Sequence, residues 1–358
     1  MKLAIVCSWL NQYGGAERVL EVIHDMYPDA PIYTSIYWPQ ALPERYRSWD
    51  IRPSFLNRLP GIRRRHQLYL PLYPLAFEHL DLRGYDVVLS LTSAFAHGVI
   101  TPAETRHVCY CLTPARFLWN YAGYIEREGI GRLARWGLPL VLKGLRQWDR
   151  LAADRVDQFI AISRTVQQRI AKYYRREAPI IYPPVRTEFP AVEGAPEDYY
   201  LIVSRLVPYK RIDLAVQAFN ALGLPLRIVG QGRDLASLRA LAKPNIRFLG
   251  YLGDEEVRAQ MARCRALIFP GEEDFGLTPV EAMALGRPVI AYGAGGALDT
   301  IEEGRTGIFF REPTAESLME AVRRLEQCAF DPAVLRRHAQ RFGIPRFRQE
   351  LAQVLAQD

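Results

Sequence analysis

Short runs of β-branched and aromatic residues alternate, along the whole chain, with segments whose apolar residues recur at helical spacing. Strands that alternate with helices are joined by crossovers, and crossovers produce parallel sheets covered on both faces. This feature narrows the fold class to α/β. In the first half the strand candidates are 2–8, 31–37, 86–92, 107–112, 158–163 and 179–182. In the second they are 199–205, 226–230, 246–252, 266–270, 288–292 and 306–310.

Between the two sets lies "YPPVRTEFP" at 182–190, whose prolines exclude helix and suit a stiff, extended connector. A length of 358 residues with 49% hydrophobic side chains exceeds the range over which one core keeps growing. Two Rossmann-like domains are therefore expected, 1–183 and 184–342, facing each other across a cleft. In open α/β sheets, ligands bind at the carboxyl ends of strands.

The five cysteines (Cys7, Cys109, Cys111, Cys264, Cys328) are odd in number and lie mostly in apolar runs, which reads as reduced thiols and not a disulfide framework. Cys109 and Cys111 share one face of a strand, but no second Cys or His pair at ligand spacing makes them a metal site. The opening "MKLAIVCSWL" breaks at Asn11 and Gln12 without a cleavage signal, so it reads as the first strand. No apolar run reaches the roughly 18 residues of a membrane span. A cytoplasmic chain is expected, peripheral at the inner face of the cell membrane.

Charge is unevenly spread. Residues 1–180 carry 24 Lys and Arg against 16 Asp and Glu, an excess of +8, whereas residues 181–358 carry 22 against 23. A basic first half fits an anionic partner such as a membrane surface or a phosphate-bearing substrate. Charge alone also admits nucleic acid, but no recognised binding motif accompanies it, so no nucleic-acid partner is expected.

Each half supplies a loop suited to phosphate at a strand end. Strand 2–8 runs into "NQYGGAERVLEVI", where Gly14 and Gly15 let a ligand approach the backbone and the following helix offers free N–H groups. In "LIVSRLVPYKRIDLAVQAF" (201–219), Arg205 follows a strand and Lys210 precedes a helix that begins near Ile212. Two cations on one loop can hold a pyrophosphate, Arg by its planar fork and Lys as a point charge.

The stretch "GEEDFGLTPVE" (271–281) follows the apolar run "ALIFP" and leads into a helix stopped by Gly286. With Thr278 as N-cap and Pro279 at the first helical position, Glu281 completes a capping box, a contribution of about 1 kcal/mol. Glu273 has no such structural role. With Glu272 and Asp274 it forms an acidic loop beside a helix N-terminus, which by itself does not make a metal cluster.

Together these pieces resemble the retaining, nucleotide-sugar-dependent glycosyltransferases of the GT-B fold, family 4, known as glycosyltransferase group 1. The family signature of Glu, seven residues, then Glu matches Glu273 and Glu281, with "FGL" and Pro between them. "SRLVPYKR" matches the family's Arg and Lys, and "GGAER" its N-terminal glycine loop. "RFGIPRFRQELAQVL" matches the last helix, about 343–358, which in the family crosses back to complete the first domain. The resemblance implies that 1–183 binds the acceptor and 184–342 the donor. It implies that Glu281 meets the donor ribose, that Glu273 meets the sugar hydroxyls, and that Phe275, Gly276, Leu277 and Thr278 line the sugar and phosphates. Gly14 and Gly15 belong to the same donor set. Arg205 and Lys210 stabilise the leaving diphosphate, so neither cofactor nor divalent metal is required. The overall pattern resembles bacterial mannosyltransferases that build lipid-linked O-antigen or exopolysaccharide. GDP-mannose is the first donor expected.

One departure stands out in "VCYCLTPARFLWNYAGY" (108–124): the family commonly carries His where this chain has Leu112. His97 and His107 are candidates to take its place. The departure also admits a catalytically silent nucleotide-sugar-binding protein on the same scaffold. Finally, "WDIRPSFLNRLPGIRRRHQLYLPLYPLAF" (49–77) mixes Arg63, Arg64 and Arg65 with Phe55, Leu56, Leu59, Leu68, Tyr69 and Leu70. That mixture suits an anionic membrane surface or a lipid-linked glycan acceptor.

Overall fold

The computed structural model describes residues 1–120, 134–190 and 194–357, of which Arg64 and 134–138 are described by backbone alone. The chain divides into two compact units, Met1–Tyr182 with Arg348–Asp358, and Pro183–Phe347. Each unit is built on one six-stranded sheet.

In the first unit the strands are β1 (Leu3–Cys7), β2 (Ile32–Thr34), β3 (Ile51–Pro53), β4 (Val87–Thr92), β5 (Arg106–Cys111) and β6 (Gln158–Ala161). They lie in the order β3-β2-β1-β4-β5-β6, all pairs parallel. All residues of β1 and β4 are buried, as a sheet covered by helices on both faces requires. Cys109 and Cys111 do share a buried face of β5.

The second unit has β7 (Tyr200–Val203), β8 (Leu226–Val229), β9 (Ile246–Gly250), β10 (Leu267–Phe269), β11 (Val289–Tyr292) and β12 (Gly307–Phe310). Their order is β12-β11-β10-β7-β8-β9, again all parallel. The helices Ile212–Leu222 and Ala315–Glu326 bury Ala215, Val216, Phe219, Leu318 and Val322 against Ile202, Ile228 and Ile290 of the sheet. Read from β7, the second sheet has the same order as the first read from β1. Each therefore contains one switch point, between β1 and β4 and between β7 and β10, where successive crossovers leave in opposite directions. Such a point opens a crevice at the carboxyl ends of the two central strands.

Two strand expectations are corrected. Residues 179–182 form no strand: Ile180 makes a single bridge to Ala161. Conversely, β3 lies inside a stretch read as basic and amphipathic. Its Pro53 is tolerated because β3 is an edge strand, where a missing N–H breaks no ladder. The last helix, Ile344–Leu355, starts in the second unit and ends in the first. There Arg106 Nη1 donates to the carbonyls of Val354 (3.0 Å) and Gln357 (2.6 Å).

Candidate functional site

The switch point of the second sheet is built from the loops after β7 and β10. The first runs from Ser204 to a single 3₁₀ turn, Pro208–Lys210, and Arg211 then adopts a left-handed conformation (φ 53°) before the helix Ile212–Leu222. Pro208 sets the first φ of that turn, and the turn aims Lys210 at the neighbouring loop. The second runs from Pro270 through the acidic residues to Gly276 and the helix Leu277–Ala284.

These loops meet in an ion pair between Lys210 Nζ and Glu273 Oε1, whose side chains are 12% and 21% exposed. Beneath the pair the backbones touch. A Cβ at residue 271 would lie 2.8 Å from the Lys210 carbonyl oxygen and 2.9 Å from Lys210 Cα, so this position requires glycine. Lys210 Nζ also stands 5.2 Å from the Tyr209 ring centroid, and Arg205 Nη2 donates to the Tyr209 hydroxyl at 2.9 Å. Tyr209 thus links the two cations that flank it, Arg205 exposed and Lys210 mostly covered. The result is one carboxylate and two cations converging at a strand-end crevice, a set able to hold sugar hydroxyls and a diphosphate.

A third loop supports the acid. Gly296 N–H, after β11, donates to the Glu273 carbonyl at 2.8 Å. The sequence carries a signal for it, the glycines of "YGAGGALD" directly after a strand, which the motif reading passed over.

The helix carrying Glu281 does not start as the capping box would have it. It begins at Leu277, with Gly276 (φ 88°) as N-cap and no side-chain cap. Gly276 packs on the Phe269 ring so closely that a Cβ would come within 2.7 Å, and its left-handed turn brings the chain into the helix before Thr278 can cap it. Thr278 becomes the second helical residue and Glu281 the fifth, a partly exposed position one turn in. Phe275 is buried and packs on Phe342 with ring centroids 5.7 Å apart, so it offers the crevice its backbone and not its ring.

In the first unit, Gly14 and Gly15 lie where expected, at the start of the helix Gly15–Met26 that follows β1. Leu112 lines a hollow with Ser8, Trp9, Glu17 and Ser93. Neither histidine offered in its place reaches that hollow. His107 is fully buried, holds Ser90 Oγ at 2.8 Å, and is pushed down to about 3 by burial. His97 is buried too, with Nε2 donating to the Asp149 carbonyl (3.2 Å). Asp149, its carboxyl raised by burial, accepts from Trp119 Nε1 (2.7 Å) and the Tyr174 hydroxyl (2.9 Å). Both histidines are core residues. Of the motif that contains Leu112, residues 121–124 lie outside the described residues.

Arg63 and Arg65 are exposed on the short helix Ile62–Arg65, pinned by the buried Ile62, with Arg64 between them in the chain. Exposed apolar residues lie near them in sequence, Phe55, Leu72, Leu75 and above all Leu68 at 73%. Among the described residues no helix is long and apolar enough to cross a membrane.

The family model described as glycosyl transferases group 1 matches residues 185–342. The chain is 32% identical over 243 residues to a GDP-mannose-dependent alpha-mannosyltransferase of Mycolicibacterium smegmatis, covering 63% of this chain and 61% of that protein. It is 26% identical over 321 residues to a glycogen synthase of Pseudomonas syringae pv. tomato, covering 83% of this chain and 62% of that one. The chain thus spans about three fifths of the length of these curated relatives. Among solved structures, Anabaena HepE in complex with UDP superposes with a TM-score of 0.73 at 20% identity, over 99% of this chain and 100% of that one. At that identity the likeness concerns the fold. Residues 185–342 are therefore similar to the glycosyl transferases group 1 family, and the chain as a whole has the GT-B fold, with two parallel six-stranded sheets.

Proposed function

We propose that this chain is a glycosyltransferase that moves a sugar from a nucleotide-sugar to a glycan or lipid-linked acceptor in cell-surface polysaccharide synthesis, with retention at the anomeric carbon. The observation that carries the reading is the Lys210–Glu273 pair at the switch point of the second sheet. On this reading the second unit binds the donor and the first the acceptor. The donor diphosphate draws Lys210 and Arg205 to its oxygens, and Glu273, released from Lys210, orients the sugar hydroxyls. Glu281 holds the ribose, while the backbone of Phe275, Gly276 and Leu277 and the Thr278 hydroxyl line the sugar and phosphates. As the bond from the anomeric carbon to phosphate breaks, its electron pair passes to the diphosphate, where the two cations stabilise the growing charge. The acceptor hydroxyl forms the new bond to that carbon and passes its proton to the departing diphosphate oxygen.

The first donor proposed is GDP-mannose, supported by the mycobacterial relative whose name states that dependence. The glycogen synthase relatives and the UDP-bound structural neighbour support other nucleotides. Thermal shift in a panel of GDP-, UDP- and ADP-sugars tests the reading: the true donor raises Tm, by mass action, most. Failure of every nucleotide to raise Tm would remove the donor site.

A second reading, a nucleotide-sugar-binding protein without turnover, is favoured by Leu112, an inert side chain on the hollow of the first unit. It predicts the same thermal shift but no transfer to any glycan acceptor.

A further inference from the structure

A helix near the end of the chain supports the Glu273 loop from behind. Asp331 accepts from Ala333 N–H (2.8 Å) as N-cap and Pro332 takes the first helical position, so a helix runs from Pro332 to Ala339 and on into a 3₁₀ turn, Gln340–Phe342. Its buried face consists of Leu335, His338, Ala339 and, one turn on, Phe342. The histidine is the exception among them, and a polar ring on a covered face needs a partner.

His338 Nε2 donates to the Thr300 carbonyl at 2.8 Å; because a carbonyl only accepts, that nitrogen carries a proton. On its other side the ring faces Glu302, whose Oε1 lies 3.3 Å from Nδ1 and accepts from Arg341 Nη1 at 3.0 Å. Thr300 ends the short helix Ala297–Thr300 and directs its N–H (3.2 Å) and its hydroxyl (3.3 Å) to the Gly296 carbonyl. Gly296 in turn donates its N–H to the Glu273 carbonyl. A path of hydrogen bonds thus runs from His338 through Thr300 and Gly296 to the backbone of Glu273.

Phe342 supports the same loop through apolar contact. Its ring is fully buried, 5.7 Å from that of His338 and 5.7 Å from that of Phe275, two residues beyond Glu273. The Phe275 backbone lies so close to Gly296 that a Cβ there would overlap it. Phe342 is itself anchored, its carbonyl accepting from Val185 N–H at 2.9 Å. The polar and the apolar support therefore meet where Gly296 touches the acidic loop. A carboxylate that must be held within about 0.5 Å of its productive place needs such backing.

We propose that His338 and Phe342 are positioning residues for Glu273, holding its loop against the loop after β11. This deepens the transferase reading, and rests on it for what Glu273 does.

The test compares wild type with His338→Gln, His338→Asn and Phe342→Leu. The Gln amide puts a donor where Nε2 stands and keeps the bond to Thr300; the Asn amide puts one near Nδ1, toward Glu302, and leaves the Thr300 carbonyl without it. Hydrogen-exchange mass spectrometry of the full chain reads the path in a peptide covering 293–300, which contains Gly296 N–H. Exchange there should rise about tenfold in His338→Asn and Phe342→Leu and keep the wild-type rate in His338→Gln, with strand 200–203 unchanged in all four proteins, which shows that the variants fold. In steady-state transfer, kcat should fall about tenfold or more in His338→Asn and Phe342→Leu but not in His338→Gln, while affinity for GDP or UDP stays at the wild-type value, because a misplaced acid costs turnover and not phosphate binding. Equal exchange in wild type and His338→Asn, equal losses in His338→Gln and His338→Asn, or wild-type kcat in variants whose exchange has risen would each overturn the proposal. The expected exchange pattern in a protein that transfers sugar to no glycan acceptor supports the brace while removing the transferase reading.

Discussion

Lys210 and Glu273, on loops that follow two different strands, share one ion pair where the strand order of the second sheet reverses. The pair holds the acid and the cation in register before any ligand arrives. A diphosphate at Lys210 and a sugar at Glu273 would each take over one half of it.

The two carboxylates of the motif should separate in mutant kinetics. Glu273→Gln keeps the shape of the loop, removes the charge that faces Lys210, and should lower kcat by about 10²-fold or more, while affinity for the nucleoside diphosphate changes little. Glu281→Gln should instead weaken nucleotide binding itself, because a ribose contact acts in ground and transition states alike. Isothermal titration and steady-state rates read the two effects. Normal turnover by Glu273→Gln would remove its role.

Transfer should not depend on a divalent metal. On the proposed reading, Arg205 and Lys210 would bring to the leaving diphosphate the positive charge that a metal otherwise supplies. Rates should be unchanged in EDTA. Loss of transfer in chelator with recovery in Mn²⁺ would instead make the loop of Glu272, Glu273 and Asp274 a metal site.

Replacing Arg63, Arg64 and Arg65 together by Gln should weaken binding to anionic vesicles while leaving donor affinity unchanged. Each cation near such a surface contributes about 1 kcal/mol, falling off within a Debye length of roughly 8 Å at physiological salt. Co-sedimentation at low salt gives the readout, and equal pelleting of wild type and triple variant would return the segment to an ordinary solvated surface.

His107 should make the protein acid-sensitive. Its folded value, about 3, lies below the ordinary 6.5, so above pH 6.5 the ring is neutral in both states and contributes nothing to pH dependence. As pH falls from 6.5 toward 3, the unfolded chain takes up a proton that the folded one refuses. Stability then drops by up to about 1.4 kcal/mol per pH unit from this group. The fall in urea midpoint between pH 6 and pH 4 should be shallower in His107→Gln than in wild type. Identical slopes would contradict it.

Much of this molecule was legible in its residues because parallel sheets are written locally. Buried strands such as 3–7 and 87–92 are continuous apolar runs, and glycine, proline and cations mark the loops at their ends. The motif from Glu273 to Glu281 and the pair Arg205 and Lys210 could be found from spacing and residue type, as could the helix starting at Ile212. Edge strand β3 could not, because three residues ending in proline carry too little pattern to stand apart from their basic surroundings.

Which residues face one another was decided by tertiary structure. Strand β10 lies beside β7 and not beside β9, which precedes it in the chain, because the crossovers reverse direction between them. Without that reversal Lys210 and Glu273 would sit on separated loops, and no local pattern specifies it. The same holds in the first unit. Burial placed His97 and His107 in the core, and the packing of the loop after β1 on the segment after Arg65 set His66 against Trp9. Side-chain periodicity tells which face of a strand or helix is covered; the neighbour that covers it is chosen by the packing of the whole chain.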